Sequence, residues 1–237
     1  MSALKSTTAA FIDMDFTLYT KYLYEGLFAH HRQNKFRRHT LAIFVSYHFP
    51  IWQLSKLGLI SKEFLYNEHA SNLAWLVKGV SVERADLIWD WVLENEIVPH
   101  LRPEMVSVLE YHKLQGHRII LNSGSFTPIL DKVVIYLGIE GAIATPLAVK
   151  NGKYTGKIIP PLNIGNGKVE RLNQFLAGPG KEIDLTKSYF YTDSVMDLPV
   201  MKLFGNPVAV YPDEFLAETA KSQDWQIIGP EHRFGTE

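Results

Sequence analysis

Residues 8–18 read TAAFIDMDFTL, and this stretch decides the fold. A short apolar run, residues 9–12, ends abruptly in the acidic pair Asp13 and Asp15. A run this short, with aromatic and β-branched members, predicts a buried strand that leads into a polar loop. Strands buried on both faces are typical of parallel sheets, in which ligands collect at the carboxyl ends of the strands. We therefore expect the acidic pair to lie at such an edge.

Short apolar segments alternate with helical ones through the second half of the chain. The predicted strands cover residues 117–121, 143–149, 154–159, 188–191, 208–211 and 225–228. The predicted helices cover residues 102–115, 127–136 and 168–176, and another begins at Asp213. The pair Asn151-Gly152 tolerates the positive φ of a type I′ turn and predicts a hairpin. This order of elements predicts an α/β fold with a parallel sheet and helices on both faces.

Residues 22–96 show a different pattern, in which apolar residues recur at helical spacing and no clear strand interrupts them. One such stripe consists of Ala85, Ile88, Trp89 and Val92. We therefore predict that a helical cap is inserted into the α/β core. The predicted boundaries are residues 1–20 and 97–237 for the core and residues 21–96 for the cap.

The bulk composition excludes several classes of site. The chain has 237 residues, a formal net charge of -1 and no cysteine, so disulfides, thiolate nucleophiles and cysteine zinc sites are excluded. The near-neutral charge gives no reason to expect a nucleic-acid partner. Residues 1–10 lack an apolar run of signal-peptide length, and we expect a cytoplasmic location.

The apolar stretch 40–52 reads TLAIFVSYHFPIW. It is shorter than the roughly 20 apolar residues that a membrane span needs. We therefore predict a buried or substrate-facing helix of the cap, with a membrane-surface helix as the alternative, and we do not expect the protein to associate with a membrane.

Four polar clusters border the predicted strands and helices: Asp13-x-Asp15-x-Thr17, Ser123, Lys168 and Asp193-x-x-x-Asp197. Each alone is weak, since an acidic pair after a strand is equally typical of a loop or a helix N-cap. In this order, they resemble the four signature motifs of the haloacid dehalogenase superfamily. The resemblance is closest to the phosphoserine-phosphatase-like hydrolases of its subfamily IB, whose helical cap lies between the first two motifs. It covers the segments FIDMDFTL (11–18), IILNSGS (119–125), GNGK (165–168) and YTDSVMDLP (191–199).

The resemblance implies a Rossmann-like core and a magnesium-dependent reaction. Mg²⁺ prefers oxygen ligands and usually keeps several waters. Asp13 and Asp193 would supply carboxylate ligands, and the resemblance adds the backbone carbonyl of Asp15. Asp13 would then attack phosphorus as the nucleophile. Asp15 would act as general acid and base, a role that calls for a raised pKa.

Other residues would bind the phosphoryl group or support the site. Ser123, the backbone near Gly124 and Lys168 are predicted to contact the phosphoryl oxygens, while Thr17 and Asp197 are predicted to support the arrangement. Lys168 stands at a predicted helix start, where a positive charge opposes the macrodipole, so we expect an anionic group beside it.

Some positions depart from the family pattern. Phe16 stands where the family usually has a small residue, and Glu25 lies later than the acidic residue that holds the ammonium group of phosphoserine. We therefore do not expect L-phosphoserine to be the substrate. The cap also contains a basic cluster, which is either a solvated face or a site for a second anionic group. Its members are Arg32, Lys35, Arg37 and Arg38.

The sequence thus predicts a Mg²⁺-dependent phosphomonoester hydrolase that acts on a small phosphorylated metabolite through an aspartyl-phosphate. Two alternatives remain open within the enzymes: a phosphatase of a lipid-like phosphate, and a phosphotransferase. A non-catalytic phosphate-binding scaffold is a third alternative. Dehalogenation is disfavoured because it uses neither Asp15 nor a metal. The physiological substrate and the oligomeric state do not follow from the sequence.

Overall fold

A computed structural model of the protein describes residues 7–230, apart from the side chain of Lys62. Within this range the core is a six-stranded sheet, formed by β1 (Ala9–Ile12), β2 (Arg118–Phe126), β3 (Gly141–Thr145), β6 (Tyr189–Thr192), β7 (Asn206–Val210) and β8 (Gln226–Ile228). The strand order is β3-β2-β1-β6-β7-β8, and all neighbouring strands are parallel. The predicted α/β fold is therefore confirmed.

Helices cover both faces of this sheet. The evidence is that successive side chains of β1 belong to two different buried clusters. Ala10 and Ile12 belong to one buried cluster, whereas Ala9 and Phe11 belong to another on the opposite face. The first cluster also receives side chains from α5 (Pro103–Leu114) and α6 (Thr127–Leu137). The second receives them from α7 (Asn166–Leu176), α8 (Leu198–Met201) and α9 (Glu214–Ser222). Burial on both faces explains why the strands are nearly continuous apolar runs.

Strand β2 is longer than the sequence predicts, because it continues through the polar residues after Leu121 to Phe126. The fully buried amide of Asn163 supplies a donor to two acceptors of this segment. Its Nδ2 donates to Asn122 Oδ1 at 2.9 Å and to the carbonyl oxygen of Ser123 at 2.8 Å. A buried polar segment is stable only when such partners exist, and this partner lies 41 positions further along the chain.

The predicted strand 143–149 is divided in the structure. β3 ends at Thr145, and β4 (Leu147–Lys150) leaves the main sheet to pair with β5 (Lys153–Ile158). Pro146 separates the two, since proline has no N–H for a sheet ladder. The predicted hairpin turn is confirmed: Asn151 and Gly152 have φ values of 51° and 70°.

Helices α1 (Leu23–Gln33), α2 (Arg38–Lys56), α3 (Lys62–Asn72) and α4 (Val82–Val92) lie between β1 and α5. The apolar stripe predicted on α4 is buried. The hairpin β4–β5 bonds to this helical region, because Gly79 N donates to the carbonyl oxygen of Tyr154 at 2.6 Å and Tyr154 N donates to that of Val80 at 2.9 Å. The boundaries 21–96 of a separate cap stay a prediction.

The apolar stretch 40–52 lies in α2, but the prediction of a buried helix is wrong for most of it, and the alternative of a substrate-facing helix stays a prediction. Leu41, Phe44 and His48 are its buried residues, and the other large side chains are exposed to different degrees. The reason is geometric: a helix that packs through one stripe hides only that stripe. Within residues 7–230, no helix combines the length and the hydropathy that crossing a bilayer requires.

Candidate active site

The loop after β1 places the first acidic pair at the carboxyl edge of the sheet. Asp13 N donates to the carbonyl oxygen of Tyr191 at 2.9 Å, so the sheet ladder continues to the first acidic residue. The chain then turns sharply, with Leu18 N bonded to the carbonyl oxygen of Met14 at 2.9 Å and Phe16 at φ 56°. Asp13 is 7% exposed. The carboxyl side chain is therefore largely desolvated but not fully enclosed.

Lys168 joins the first motif to the fourth. Its Nζ lies 2.8 Å from Asp13 Oδ1 and 2.6 Å from Asp197 Oδ2, and all three side chains are buried. Thr192 Oγ1 also donates to Asp197 Oδ2 at 2.6 Å. The anionic neighbours that we expected beside Lys168 are thus present, and they offset the unfavourable position of an ammonium group in the first turn of α7.

A glycine allows Lys168 to reach this position. A Cβ added to Gly167 would lie 1.9 Å from the carbonyl oxygen of Leu162, which is far inside van der Waals contact. The first turn of α7 can therefore pack against the backbone of the preceding loop only because residue 167 has no side chain.

Asp193 follows β6 and is tied to the first motif. Thr17 Oγ1 donates to Asp193 Oδ1 at 3.2 Å across 176 positions of sequence. Asp213 holds the same loop from the other side: its backbone N donates to the carbonyl oxygen of Asp193 at 2.8 Å, and its Oδ2 accepts from Val195 N at 2.8 Å. The sequence identified Asp213 only as a helix start, and its N-cap character was the only available signal.

Asp15 is held by three donors. Tyr19 OH lies 3.1 Å and Ser125 Oγ 3.4 Å from its Oδ1, and Leu23 N lies 3.3 Å from its Oδ2. Burial, together with the charge of Asp13, raises the pKa of Asp15 to about 7. The raised pKa agrees with the prediction for a general acid and base. Sequence reasoning missed Tyr19 and Ser125, since no motif identifies either as a partner of this carboxyl group.

The remaining predicted residues lie on β2, next to β1. Ser123 is buried, and its Oγ accepts from Ser125 N at 3.2 Å. Gly124 packs closely, because an added Cβ would lie 2.7 Å from Ile164 Cγ1. Ile12 pairs with Leu121 in the parallel ladder, so the segments that follow both residues reach the same edge of the sheet. The direct link between this segment and the acidic pair is the contact from Ser125 to Asp15.

The electrostatics of the site favour a divalent cation. Burial raises the pKa of Asp13, and the ammonium of Lys168 opposes that rise. Burial by itself would lower the pKa of Lys168, but the charges of Asp13 and Asp197 outweigh it and raise that pKa. Asp13, Asp15, Asp193 and Asp197 bring four carboxyl groups to this edge of the sheet, and the ammonium of Lys168 contacts two of them. A buried carboxylate is costly unless a cation or hydrogen bonds compensate its charge.

The donor set offers carboxylate oxygens, which are the ligands that Mg²⁺ prefers. Within the described part of the chain, no three His, Asp or Glu side chains converge as a metal site. Asp13 and Asp193 directly follow the adjacent strands β1 and β6, and such a pair suits an ion that binds through one or two carboxylates and keeps its waters.

A family model described as haloacid dehalogenase-like hydrolase matches residues 10–202, a range that includes all of these residues. The chain belongs to this family. The predicted membership of the chain in this family is thereby confirmed, and so is its predicted enzyme class, a hydrolase of the phosphatase type.

Named relatives agree with this assignment. A histidinol-phosphatase from Neisseria meningitidis is 34% identical over 66% of this chain and 71% of its own length. The chain spans only 54% to 56% of the length of three further curated relatives. A protein of unknown function from Bordetella pertussis has a similar structure, with a TM-score of 0.77, 25% identity, and coverage of 94% of this chain and 99% of that one. A substrate-bound phosphoserine phosphatase shares the fold at a TM-score of 0.62 and 20% identity, with coverage of 96% and 95%.

Proposed function

We propose that the protein is a Mg²⁺-dependent phosphomonoester hydrolase that acts on a small phosphorylated metabolite through an aspartyl-phosphate at Asp13. The observation that carries this proposal is the arrangement of two carboxyl groups in different environments. Asp13 is paired with the ammonium of Lys168, whereas Asp15 is held by neutral donors and has a pKa of about 7. Such a difference is what assigns the roles of nucleophile and proton carrier to two neighbouring acids.

The residues then divide the reaction between them. An oxygen of Asp13 attacks phosphorus, the bond from phosphorus to the leaving oxygen breaks, and protonated Asp15 donates its proton to that oxygen. Water next attacks the phosphorus of the aspartyl-phosphate while ionised Asp15 accepts a proton, which releases inorganic phosphate and restores both carboxyl groups. Lys168 and the donors near Ser123 stabilise the charge on the transferring group. Bound Mg²⁺, held by Asp13, Asp193 and the Asp15 backbone, would neutralise further charge.

The relatives suggest which substrates to test first. Histidinol phosphate is the natural choice because of the Neisseria relative, and L-phosphoserine is the comparison because of the structural neighbours. Glu25 Oε1 accepts from Tyr22 N at 3.2 Å, which gives this acid a structural role at the start of α1. This contact supports the expectation that L-phosphoserine is the poorer substrate.

The central test is hydrolysis of p-nitrophenyl phosphate with Mg²⁺ and with EDTA. Asp13→Asn is expected to abolish turnover, because an amide oxygen is too weak a nucleophile to attack phosphorus. Asp224→Asn is the matched control: it makes the same chemical change at an exposed position and should leave turnover unchanged. Wild-type turnover in a homogeneous Asp13→Asn preparation would contradict the assignment of the nucleophile.

A further inference from the structure

The outer part of α2 and the turn that follows it expose large apolar side chains. Phe49 is 56% exposed and Trp52 is 41% exposed, while Leu57 and Leu59 in the turn reach 71% and 69%. We call these four residues, together with Val45 at 47%, the α2 tip. Single exposed apolar residues are ordinary, but a group of this size on one element marks a surface that another body covers.

The α2 tip has a defined geometry. Val45, Phe49, Trp52 and Lys56 recur at the spacing i, i+4, i+7 and i+11, which places them along one side of the helix. The rings of Phe49 and Trp52 are 6.0 Å apart, and Lys56 Nζ lies 3.9 Å from the centre of the Trp52 ring. This side differs from the stripe of buried residues that anchors α2 to the protein.

The segment that carries the α2 tip is basic, with basic residues at both ends of α2. Residues 26–68 contain six Lys or Arg and two Glu, and Glu68 accepts a hydrogen bond from Tyr47 of α2 at 2.9 Å. The rest of the chain therefore carries 18 basic and 23 acidic residues, a net charge of -5. The six basic residues are Arg32, Lys35, Arg37, Arg38, Lys56 and Lys62.

We propose that the α2 tip docks on the surface of a membrane that contains anionic lipid. An apolar surface with a tryptophan, bordered by basic residues, is the composition of helices that lie in the membrane interface. Anionic lipids attract such basic residues, while the apolar side chains enter the boundary between headgroups and acyl chains. The proposal is independent of the phosphatase reaction. The proposal revises the expectation that the protein does not associate with a membrane. That expectation rested on the length of the apolar stretch 40–52, which is too short to span a bilayer but long enough to lie on its surface.

The uneven distribution of charge along the chain also determines how the protein would face the membrane. It disfavours a second copy of the chain as the partner that covers the α2 tip. The acidic remainder of the chain is repelled by the anionic surface, so the protein would dock with the α2 tip inward. A twofold-symmetric contact between two copies would bring the same basic segment from each copy into one interface. Like charges brought together in this way oppose association.

The test is co-sedimentation of the full chain with vesicles of pure phosphatidylcholine and with vesicles that also contain phosphatidylglycerol. We expect binding to the anionic vesicles only, and weaker binding at high salt. Lys56→Glu should lower the partition coefficient by about tenfold or more, since each basic residue near the surface contributes about 1 kcal/mol. The double variant Phe49→Ser/Trp52→Ser should lower it by at least as much.

Two matched controls separate the α2 tip from general surface effects. Ile135→Ser removes an exposed apolar side chain, 80% exposed, from α6. Lys181→Glu reverses an exposed charge outside residues 26–68. Both should bind like the wild type, and circular dichroism should show that all variants are folded.

Several results would overturn the proposal. Absence from both vesicle pellets would do so, and so would equal binding to neutral and anionic vesicles. Sedimentation by the double variant at the wild-type level would show that the α2 tip is not the docking surface. Light scattering without lipid measures the oligomeric state. If the wild type is a dimer and the Phe49→Ser/Trp52→Ser variant is a monomer, a second copy of the chain, and not a membrane, covers the α2 tip.

Discussion

Replacement of Lys168 by methionine is expected to lower the free energy of unfolding by about 3–5 kcal/mol. The side chain of Lys168 is only 3% exposed, and its Nζ lies 2.8 Å from Asp13 Oδ1 and 2.6 Å from Asp197 Oδ2. Methionine has a similar volume, so little of the loss comes from packing. The loss arises because two buried carboxylates lose their shared cation and are left as uncompensated charges in a desolvated site.

Lys132→Met is the matched control for this prediction. Lys132 also lies between two aspartates, with Nζ at 2.9 Å from Asp86 and 2.5 Å from Asp90, but those carboxyl groups are 57% and 45% exposed. Exposed ion pairs contribute about 0–1 kcal/mol each because water solvates the partner that remains. The two lysines therefore have similar contact distances and differ mainly in burial.

Urea unfolding followed by circular dichroism, in EDTA to exclude bound metal, measures both variants. A loss of 3–5 kcal/mol corresponds to a decrease in the melting temperature of about 10 °C for a chain of this size. The double variant Lys168→Met/Asp197→Asn should recover part of the loss, since it removes one of the unpaired charges. A Lys168→Met protein within about 1 kcal/mol of the Lys132→Met protein would refute the argument from burial.

Three further predictions concern the proton carrier Asp15, the turn before Lys168 and a buried histidine. Tyr19→Phe removes a donor that favours the ionised form of Asp15, so the pKa of Asp15 should rise further and the alkaline limb of the pH profile for an alkyl phosphate should move to higher pH; an unchanged profile would contradict this role. Gly167→Ala should cost about 1–3 kcal/mol because its Cβ meets a carbonyl oxygen, whereas Gly141→Ala, with open space around it, should not. His112 is fully buried, and burial together with the charge of His117 lowers its pKa to about 4. The unfolded state therefore binds the additional proton, so stability is complete above pH 6.5 and falls by up to about 3 kcal/mol towards pH 4, and His112→Phe should flatten that slope in urea titrations at each pH.

Much of the fold could be predicted from local pattern. The pattern of apolar residues predicts the strand before Asp13 and the helices around the sheet, and the residue types predict the turn at Asn151-Gly152. Parallel strands then bring their carboxyl ends to one edge, which is why the acidic residues after β1 and β6 could be expected near each other. An anionic group beside Lys168 was expected from its place at a helix start, but its identity as Asp13, 155 positions away, came from the structure. The motif order supplied the family, because chance rarely places four weak motifs in one order at strand ends.

The tertiary structure alone decided the features that depend on contacts between distant side chains. Asn163 allows β2 to continue through polar residues, and Tyr19 and Ser125 hold Asp15, yet none of these residues differs from an ordinary polar residue in sequence. The exposure of the α2 tip is of the same kind. The sequence shows where the apolar residues lie around a helix, but the neighbours that pack against the helix decide which of these residues are buried. Local preferences determined the elements of this protein, and long-range packing determined which polar groups were compensated and which apolar groups remained exposed.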